Sequence, residues 1–563
     1  MAAPASARWR TVVLLVLGVT AAKLLYLAFV CPYSLVEDEA HYWEWSRRLE
    51  WSYYSKGPGV AWAIAASDWF FARLGIPTSE FTVRVPSVLA SAVLTLAIAA
   101  LARRATGNPR AGLYAALAAT LSPVLWFGGL LMTIDVPYAA CWALAALCAW
   151  AALRERSGPA WLGLGAALGA GFLFKYTILL LVPGLLAFAL VSRRAGTLRL
   201  APAWAAWFLP ALAVFALALT PVTIWNAQHD WATLRHLLGH LGLEGGDVAP
   251  TQGTHGWRYK TGWTFTLIGS QLPLLGPIMI LAVWSVFRAL RSSDRRSDLW
   301  TGQLYLILCA LPIFLFYLVV SFIAEPEGNW PLAGWVTLIA LAGWGAVTAV
   351  DEWRTQLAAW TADPARPWRG FIRRRPETFP RMMWQLTLVV GVSVALISLR
   401  ADWLADNPVT RAIEARARSA GLLAPGRRIV PLGRLMGGPA MGADADRLAR
   451  ELTDSTGKPA FVIAKQYGRA SLLAFYMPGR PTVYCSSGKG DGRRTQYDLW
   501  PQTSLDDPSL LGRPAVLVGG YKEEWTPAFH AVTEHGLLQG ESKKDRITYL
   551  ATQYQGFPAP PSR

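Results

Sequence analysis

Charged side chains are scarce in this 563-residue chain: they make up 16% of it, against 53% hydrophobic residues. That is too little charge for a soluble globule and too much apolar length for a single membrane span. Cysteine is scarce as well. Of the five, Cys141, Cys148 and Cys309 lie inside apolar runs, so only Cys31 and Cys485 are left to pair with each other, and no spacing suggests a metal. Tandem repeats and long low-complexity linkers are missing, which excludes repeat arrays. Acids are outnumbered, 36 Asp and Glu to 53 Lys and Arg, for a formal charge of +17. In a soluble protein that excess would suggest nucleic acid. Here the basic residues sit in short clusters between apolar runs, as the positive-inside rule produces, and no nucleic-acid partner is expected.

Apolar length is what the chain has in excess. A helix needs about 20 apolar residues to cross a bilayer. Such runs fall near residues 10–30, 81–102, 110–130, 134–153, 160–175, 176–192, 201–225, 263–290, 301–323, 331–349 and 383–400, which predicts a polytopic α-helical membrane protein with about eleven spans. The first run is too long for a signal peptide and lacks a small-residue cleavage site, so it reads as an anchor. Placing Arg8 and Arg10 in the cytoplasm puts Arg103/Arg104, Arg154/Arg156, Arg193/Arg194, Arg291 to Arg296 and Arg366 to Arg381 on the same side. Residues 31–80, residues 226–262 and everything after about 400 then lie outside. The 28 Trp and 18 Tyr fit interfacial belts and core packing.

Residues 401–563 change character. The runs "RRIVPLG", "PAFVIAK", "RPTVYC", "PAVLVGG" and "ITYLAT" read as strands, and "DADRLARELTDS" and "ASLLAFY" have helical periodicity. A small soluble α/β domain is expected there, after a transmembrane domain over residues 1–400.

The first polar stretch, "SLVEDEAHYWEWSRRLEWSYYSKGPG", places Glu37, Asp38 and Glu39 directly outside the first span. Tyr42, Trp45 and Leu49 would share one helical face and Glu44, Arg47 and Arg48 the other, as in an amphipathic helix on the membrane surface. A second such helix is expected in "PGVAWAIAASDWFFARLG", with Lys56 in the turn between them. The acids can be read as a solvated helix start, where negative charge is favoured. Against that reading stands Asp135 in "LLMTIDVPY", a lone acid in a short outer turn where a carboxylate is expensive, and Arg84 in "FTVRVPS", which opens a span from the same side. A carboxylate can take a proton from an acceptor hydroxyl while cations stabilise a departing phosphate. If that phosphate is carried on a membrane lipid, the site belongs at the interface.

The ordered set "DEAHYWEW", "SKGPG", "RVPS", "TIDVPY", "EPEGNWP" and "ASLLAFYMPGRPTVYC…TQYDLW" resembles the bacterial family 39 glycosyltransferases, relatives of protein O-mannosyltransferases and of the lipid A aminoarabinose transferase. The resemblance runs over nearly the whole chain and is best in residues 31–190. It implies the C-type glycosyltransferase fold, a polyprenyl-phosphate sugar donor, a lipid or protein acceptor, inversion at the anomeric carbon, and a place in the bacterial inner membrane with transfer on the outer side. It assigns Asp38 and Glu39 to the family's acidic pair, with Asp38 the catalytic carboxylate, and Asp135 to its second acid. Lys56 and Arg84 match residues that meet the donor phosphate. Two departures bear on the donor: His41 stands where an arginine is expected, and "KGPG" where the family has a Lys-Pro motif.

Further candidates for the donor phosphate are His41, Arg258 and Lys260, and the last two could equally meet lipid headgroups. Tyr42, Glu325, Asn329 and Gln466 are candidates for substrate contact, with Glu327, Tyr467, Tyr476 and Tyr497 beside them in the same motifs. The tyrosines are explained as well by core packing. A divalent cation is the one cofactor left open; His229, His236, His240 and His255 cluster near one outer loop but match no standard ligand spacing. The rival class is a multi-span transporter or flippase of a lipid-linked or anionic substrate. Transporters tend to place charge near the midplane of two repeated halves, whereas here the acids gather at one face and no inverted repeat is visible.

Overall fold

A computed structural model of the chain describes residues 5–198, 203–240, 259–361, 378–423, 428–430, 432–489, 494–541 and 546–558. They fall into two compact units. One joins Met1–Leu27, Arg84–Ile224 and His255–Leu396; the other joins Ala28–Val83, Trp225–Thr254 and Ile397–Arg563.

The first unit is a helical bundle. Eight helices among the described residues are long and apolar enough to cross a membrane: 8–29, Glu80–Thr106, Asp135–Leu153, Tyr176–Arg194, 206–228, Asp298–Val320, 332–359 and Thr378–Leu399. This is a multi-span membrane protein. Three of the eleven expected runs take another form. The run at 110–130 divides into Pro109–Leu121 and Pro123–Gly128, because Pro123 cannot continue the preceding helix. Gly158–Phe174 is a shorter apolar helix, and the run at 263–290 bends by 108° between Thr261–Leu275 and Ile278–Leu290. The helix Leu332–Thr361 carries the packing, with 89% of its apolar window buried. Gly343 explains part of this: a Cβ there would lie 2.6 Å from the Ala115 Cβ and 2.7 Å from the Ala111 carbonyl oxygen. Close helix approach through small residues is how bundles pack when lipid is as apolar as their own side chains.

The second unit is built on a five-stranded sheet of order β2-β1-β3-β5-β4, with β1 Phe461–Ala464, β2 Tyr484–Cys485, β3 Ala515–Val518, β4 Phe529–Gly536 and β5 Thr548–Tyr554. β2, β1 and β3 are parallel; β5 runs antiparallel to both β3 and β4. The all-apolar strands FVIA and AVLV are buried along their whole length, as parallel strands covered on both faces must be. The helices Gly438–Thr456 and Tyr467–Tyr476 appear where their periodicity predicted. β4, with the sequence FHAVTEHG, was not expected, because the charge in it masks the alternation. Of "RRIVPLG", the described residues form a bend and a short 3-10 turn, and residues 427 and 431 lie outside the described set. All five cysteines are free.

Candidate active site

The acidic triplet opens a helix, Glu37–Ser46, and each acid has a different fate. Glu39, fully buried, turns back to accept the Val36 backbone N–H at 3.0 Å, closing the helix start in the manner of a capping box. Glu37 pairs with Arg546 and, at 3.3 Å, with Arg469. Asp38 is exposed and lines a cavity of about 350 Å³ together with Arg434, Arg469 and Arg546. The solvated-cap reading therefore fails for Glu39, which is buried, and for Glu37, which is ion-paired, and Asp38 is the exposed acid of the three.

The strand of chain leading into this helix is held by the C-terminal region. Ser34 N–H donates to the Leu435 carbonyl at 2.8 Å, Gly438 N–H to Ser34 Oγ at 3.2 Å, and Leu35 N–H to the Tyr476 hydroxyl at 2.7 Å. The Tyr476 hydroxyl in turn donates to Glu80 Oε1 at 2.8 Å. Gly468 lets the Tyr467–Tyr476 helix approach: a Cβ there would sit 2.7 Å from the Cβ of Glu37.

Two expectations for this helix are corrected. It does not lie on a membrane surface with a polar face in water, because Glu44 is fully buried and pairs with Arg47 at 3.0 Å and with Arg48. Leu49 falls beyond the helix end, 57% exposed. Trp43 and Trp45 are buried beside Glu44. The next helix, Gly59–Arg73, does keep an apolar exposed end, with Trp69 62% and Phe70 53% exposed.

The second correction concerns His41, which brings no charge to a phosphate. Its Nε2 accepts the Trp45 indole N–H at 3.1 Å, so its proton sits on Nδ1, 3.2 Å from Ser471 Oγ. Ser471 also meets the Tyr497 hydroxyl at 2.8 Å. Burial, then the nearby Lys56 ammonium, pushes the imidazole pKa down to about 3, so the ring stays neutral with both nitrogens occupied. Arginine at this position would bury a charge among these rings.

Lys56 is half-buried, with its ammonium 5.4 Å from the centre of the Tyr42 ring. Among the described residues it makes no ion pair. Its turn is fixed by Tyr53 N–H and Ser52 Oγ donating to the Lys56 carbonyl at 3.0 and 3.3 Å. Glu50, unnoticed in the sequence, braces the same loop. Its carboxylate accepts the indole N–H of Trp500 at 2.6 Å and that of Trp225, and its backbone carbonyl accepts the Trp62 indole N–H at 3.0 Å.

The membrane unit holds a separate polar cluster. Asp135 begins the helix Asp135–Leu153, and its two oxygens accept from Lys175 Nζ at 3.1 Å and from Asn329 Nδ2 at 2.8 Å. Lys175 sits at the break between Gly158–Phe174 and the 3-10 turn Tyr176–Leu180, with an extended backbone, and its ammonium also lies 5.5 Å from the Tyr138 ring centre. Its signal was a lone lysine, "FLFKYT", at the border of two predicted spans. Arg84, in the same unit, is 1% exposed.

The remaining candidates are less engaged. Glu325 and Glu327 are exposed. Lys260 caps the Thr261–Leu275 helix, its ammonium 5.5 Å from the Trp263 ring centre. Arg258 and His255 lie outside the described residues. Gln466 caps the Tyr467–Tyr476 helix and accepts from Arg546 at 3.3 Å. Tyr497 is a core residue, 1% exposed. His236 packs against Tyr54 with ring centres 4.6 Å apart, and His229 stacks on Trp225 at 4.1 Å. Among the described residues, no group of three or more His, Cys, Asp and Glu is placed to hold a metal ion.

A family model described as dolichyl-phosphate-mannose-protein mannosyltransferase matches residues 55–225. The chain is 30% identical over 337 residues to the lipid A galacturonosyltransferase RgtD of Rhizobium johnstonii; the match spans 60% of this chain and 65% of that protein. Two crystal structures of ArnT from Cupriavidus metallidurans, one apo and one bound to undecaprenyl phosphate, each align with a TM-score of 0.57. Their identities are 16% and 17%, over 95% and 96% of this chain and 97% of each of those. The fold is thus the C-type glycosyltransferase fold that the motifs implied.

Proposed function

We propose that this chain, a multi-span membrane protein of the C-type glycosyltransferase fold related to the bacterial family 39 enzymes, transfers a sugar from a polyprenyl phosphate to a hydroxyl of a lipid or protein acceptor. The observation that carries the reading is that Asp38 lines a cavity as the exposed acid of its triplet, while Glu39 is buried in the helix start and Glu37, on the same cavity wall, is ion-paired with Arg546. Asp38 takes the proton of the acceptor hydroxyl, whose oxygen bonds to the anomeric carbon as the carbon–oxygen bond to phosphate breaks. The polyprenyl phosphate leaves with both electrons of that bond, and attack from the opposite side inverts the centre. Lys56 is the cation assigned to the departing phosphate. Asp135, with both oxygens engaged, orders its surroundings and does not carry the proton. The relative named for lipid A favours a lipid acceptor.

The test is transfer from a synthetic polyprenyl-phosphate sugar by the purified protein in nanodiscs, with donor binding measured beside it. Lys56→Met weakens donor binding about tenfold or more, the scale of one charge-assisted contact. Binding unchanged in Lys56→Met would remove the lysine from the phosphate site.

The reading also places the protein in the bacterial inner membrane with its N-terminus in the cytoplasm and residues 401–563 outside. In a background with the native cysteines replaced by serine, Leu49→Cys and Arg450→Cys react with an impermeant maleimide added to intact spheroplasts. Asp294→Cys, in an arginine-rich connection, does not. Labelling of Asp294→Cys alone would reverse the orientation.

A further inference from the structure

The cavity beside Asp38 has more cationic lining than a proton transfer needs. Three arginines, Arg434, Arg469 and Arg546, line it together with Glu37 and Asp38. Arg546, 7% exposed, is matched by Glu37. Arg469 is shared between Glu37 and Glu541, at 3.3 and 3.0 Å, and its Nη1 lies 2.8 Å from the Met441 sulfur. Its Nε–H is buried with no acceptor, and an orphaned buried donor in a native structure calls for an explanation. Arg434, exposed at the rim, makes no ion pair and no hydrogen bond among the described residues. A volume of about 350 Å³ is in the range of small-molecule sites and has room for a sugar unit. A neutral sugar would leave these donors facing uncharged hydroxyls, whereas a planar guanidinium matches a carboxylate or a phosphate with two parallel hydrogen bonds.

We propose that this cavity is an oxyanion subsite: Arg434 and Arg469 bind the carboxylate or phosphate of an acidic sugar unit and hold that unit against Asp38. Arg546 takes a positioning role, holding Glu37 more closely than Arg469 does at 3.3 Å, so that an incoming anion can displace the longer pair. The inference rests on the transferase reading for the identity of the sugar, but not for the existence of the site. The anion has two sources, the carboxylate of a uronosyl unit or a phosphate borne on a substrate, and both present the same chemistry to arginine.

Binding of galacturonate, galactose and inorganic phosphate to the full-length protein in detergent, followed by thermal shift at constant ionic strength, separates these cases for wild type, Arg434→Met and Arg434→Lys. Galacturonate binds wild type at least tenfold more tightly than galactose, Arg434→Met removes the difference, and Arg434→Lys restores part of it. Phosphate binding with the same dependence on Arg434, and no preference for galacturonate, assigns the site to a phosphate. Equal binding of every probe by wild type and Arg434→Met, in variants that melt at the wild-type temperature, overturns the subsite even if sugar transfer is intact. Conversely, Arg434-dependent anion binding in a protein that transfers no sugar from any polyprenyl-phosphate donor keeps the subsite and sinks the transferase reading.

Discussion

Asp38→Asn lowers transfer by about 10²-fold or more, the scale on which a positioned general base contributes, and leaves donor binding intact or slightly tighter. The substitution keeps shape and hydrogen-bonding capacity while removing the base and one negative charge. Its effect on folding should be small, because Asp38 is exposed and the tasks of starting the helix fall to its neighbours. Glu39 closes the first turn through the Val36 N–H, and Glu37 is tied to Arg546 and Arg469. Glu39→Gln is the useful contrast, since it weakens the turn and lowers the melting temperature before it touches chemistry. Steady-state transfer, direct binding of the polyprenyl-phosphate sugar and thermal melting of the same preparations decide the matter. Near-normal turnover in Asp38→Asn would return all three acids to the role of a helix start.

How far the sequence carried the reading differs from residue to residue, and the differences have physical causes. Most of the spans were legible because apolar length is a one-dimensional property, and β1 and β3 were legible because fully buried strands are continuous apolar runs. Asp38 was legible as an acid outside a span, but its separation from Glu37 and Glu39 was not. That sorting depends on Arg469 and Arg546, more than 400 positions away. Glu44 was placed in water because helical periodicity puts it beside Arg47 and Arg48; it is indeed beside them, paired with them, and buried. Periodicity reports which residues share a face, not what covers that face. His41 fails for the same reason, since its neutrality comes first from burial, among the rings of Tyr467 and Tyr497 that no local pattern connects to it. Asn329 was a candidate only through the resemblance, and its bond to Asp135 gives it a physical reason.

Lys175→Met lowers stability by about 3 kcal/mol, toward the low end for breaking a largely buried ion pair, and reduces transfer with it. The side chains of Lys175 and Asp135 are 15% and 17% exposed, so neither charge can be hydrated fully when the other is removed. Asn329 still donates to one carboxylate oxygen at 2.8 Å, which keeps the loss below that of an isolated buried charge. The decisive measurement is a double-mutant cycle with Asp135→Asn. If the two residues act as a pair, Lys175→Met combined with Asp135→Asn is more stable than Lys175→Met alone, because no uncompensated carboxylate remains. Strictly additive losses would mean that the lysine is held by something other than the aspartate. Transfer in the double variant then separates two roles for Asp135. The engagement of both its oxygens predicts that it acts by fixing the Lys175 break and Asn329, in which case transfer recovers together with stability. Stability that returns while transfer stays low would show that the carboxylate itself takes part in the chemistry, and the assignment of the proton to Asp38 alone would have to be given up.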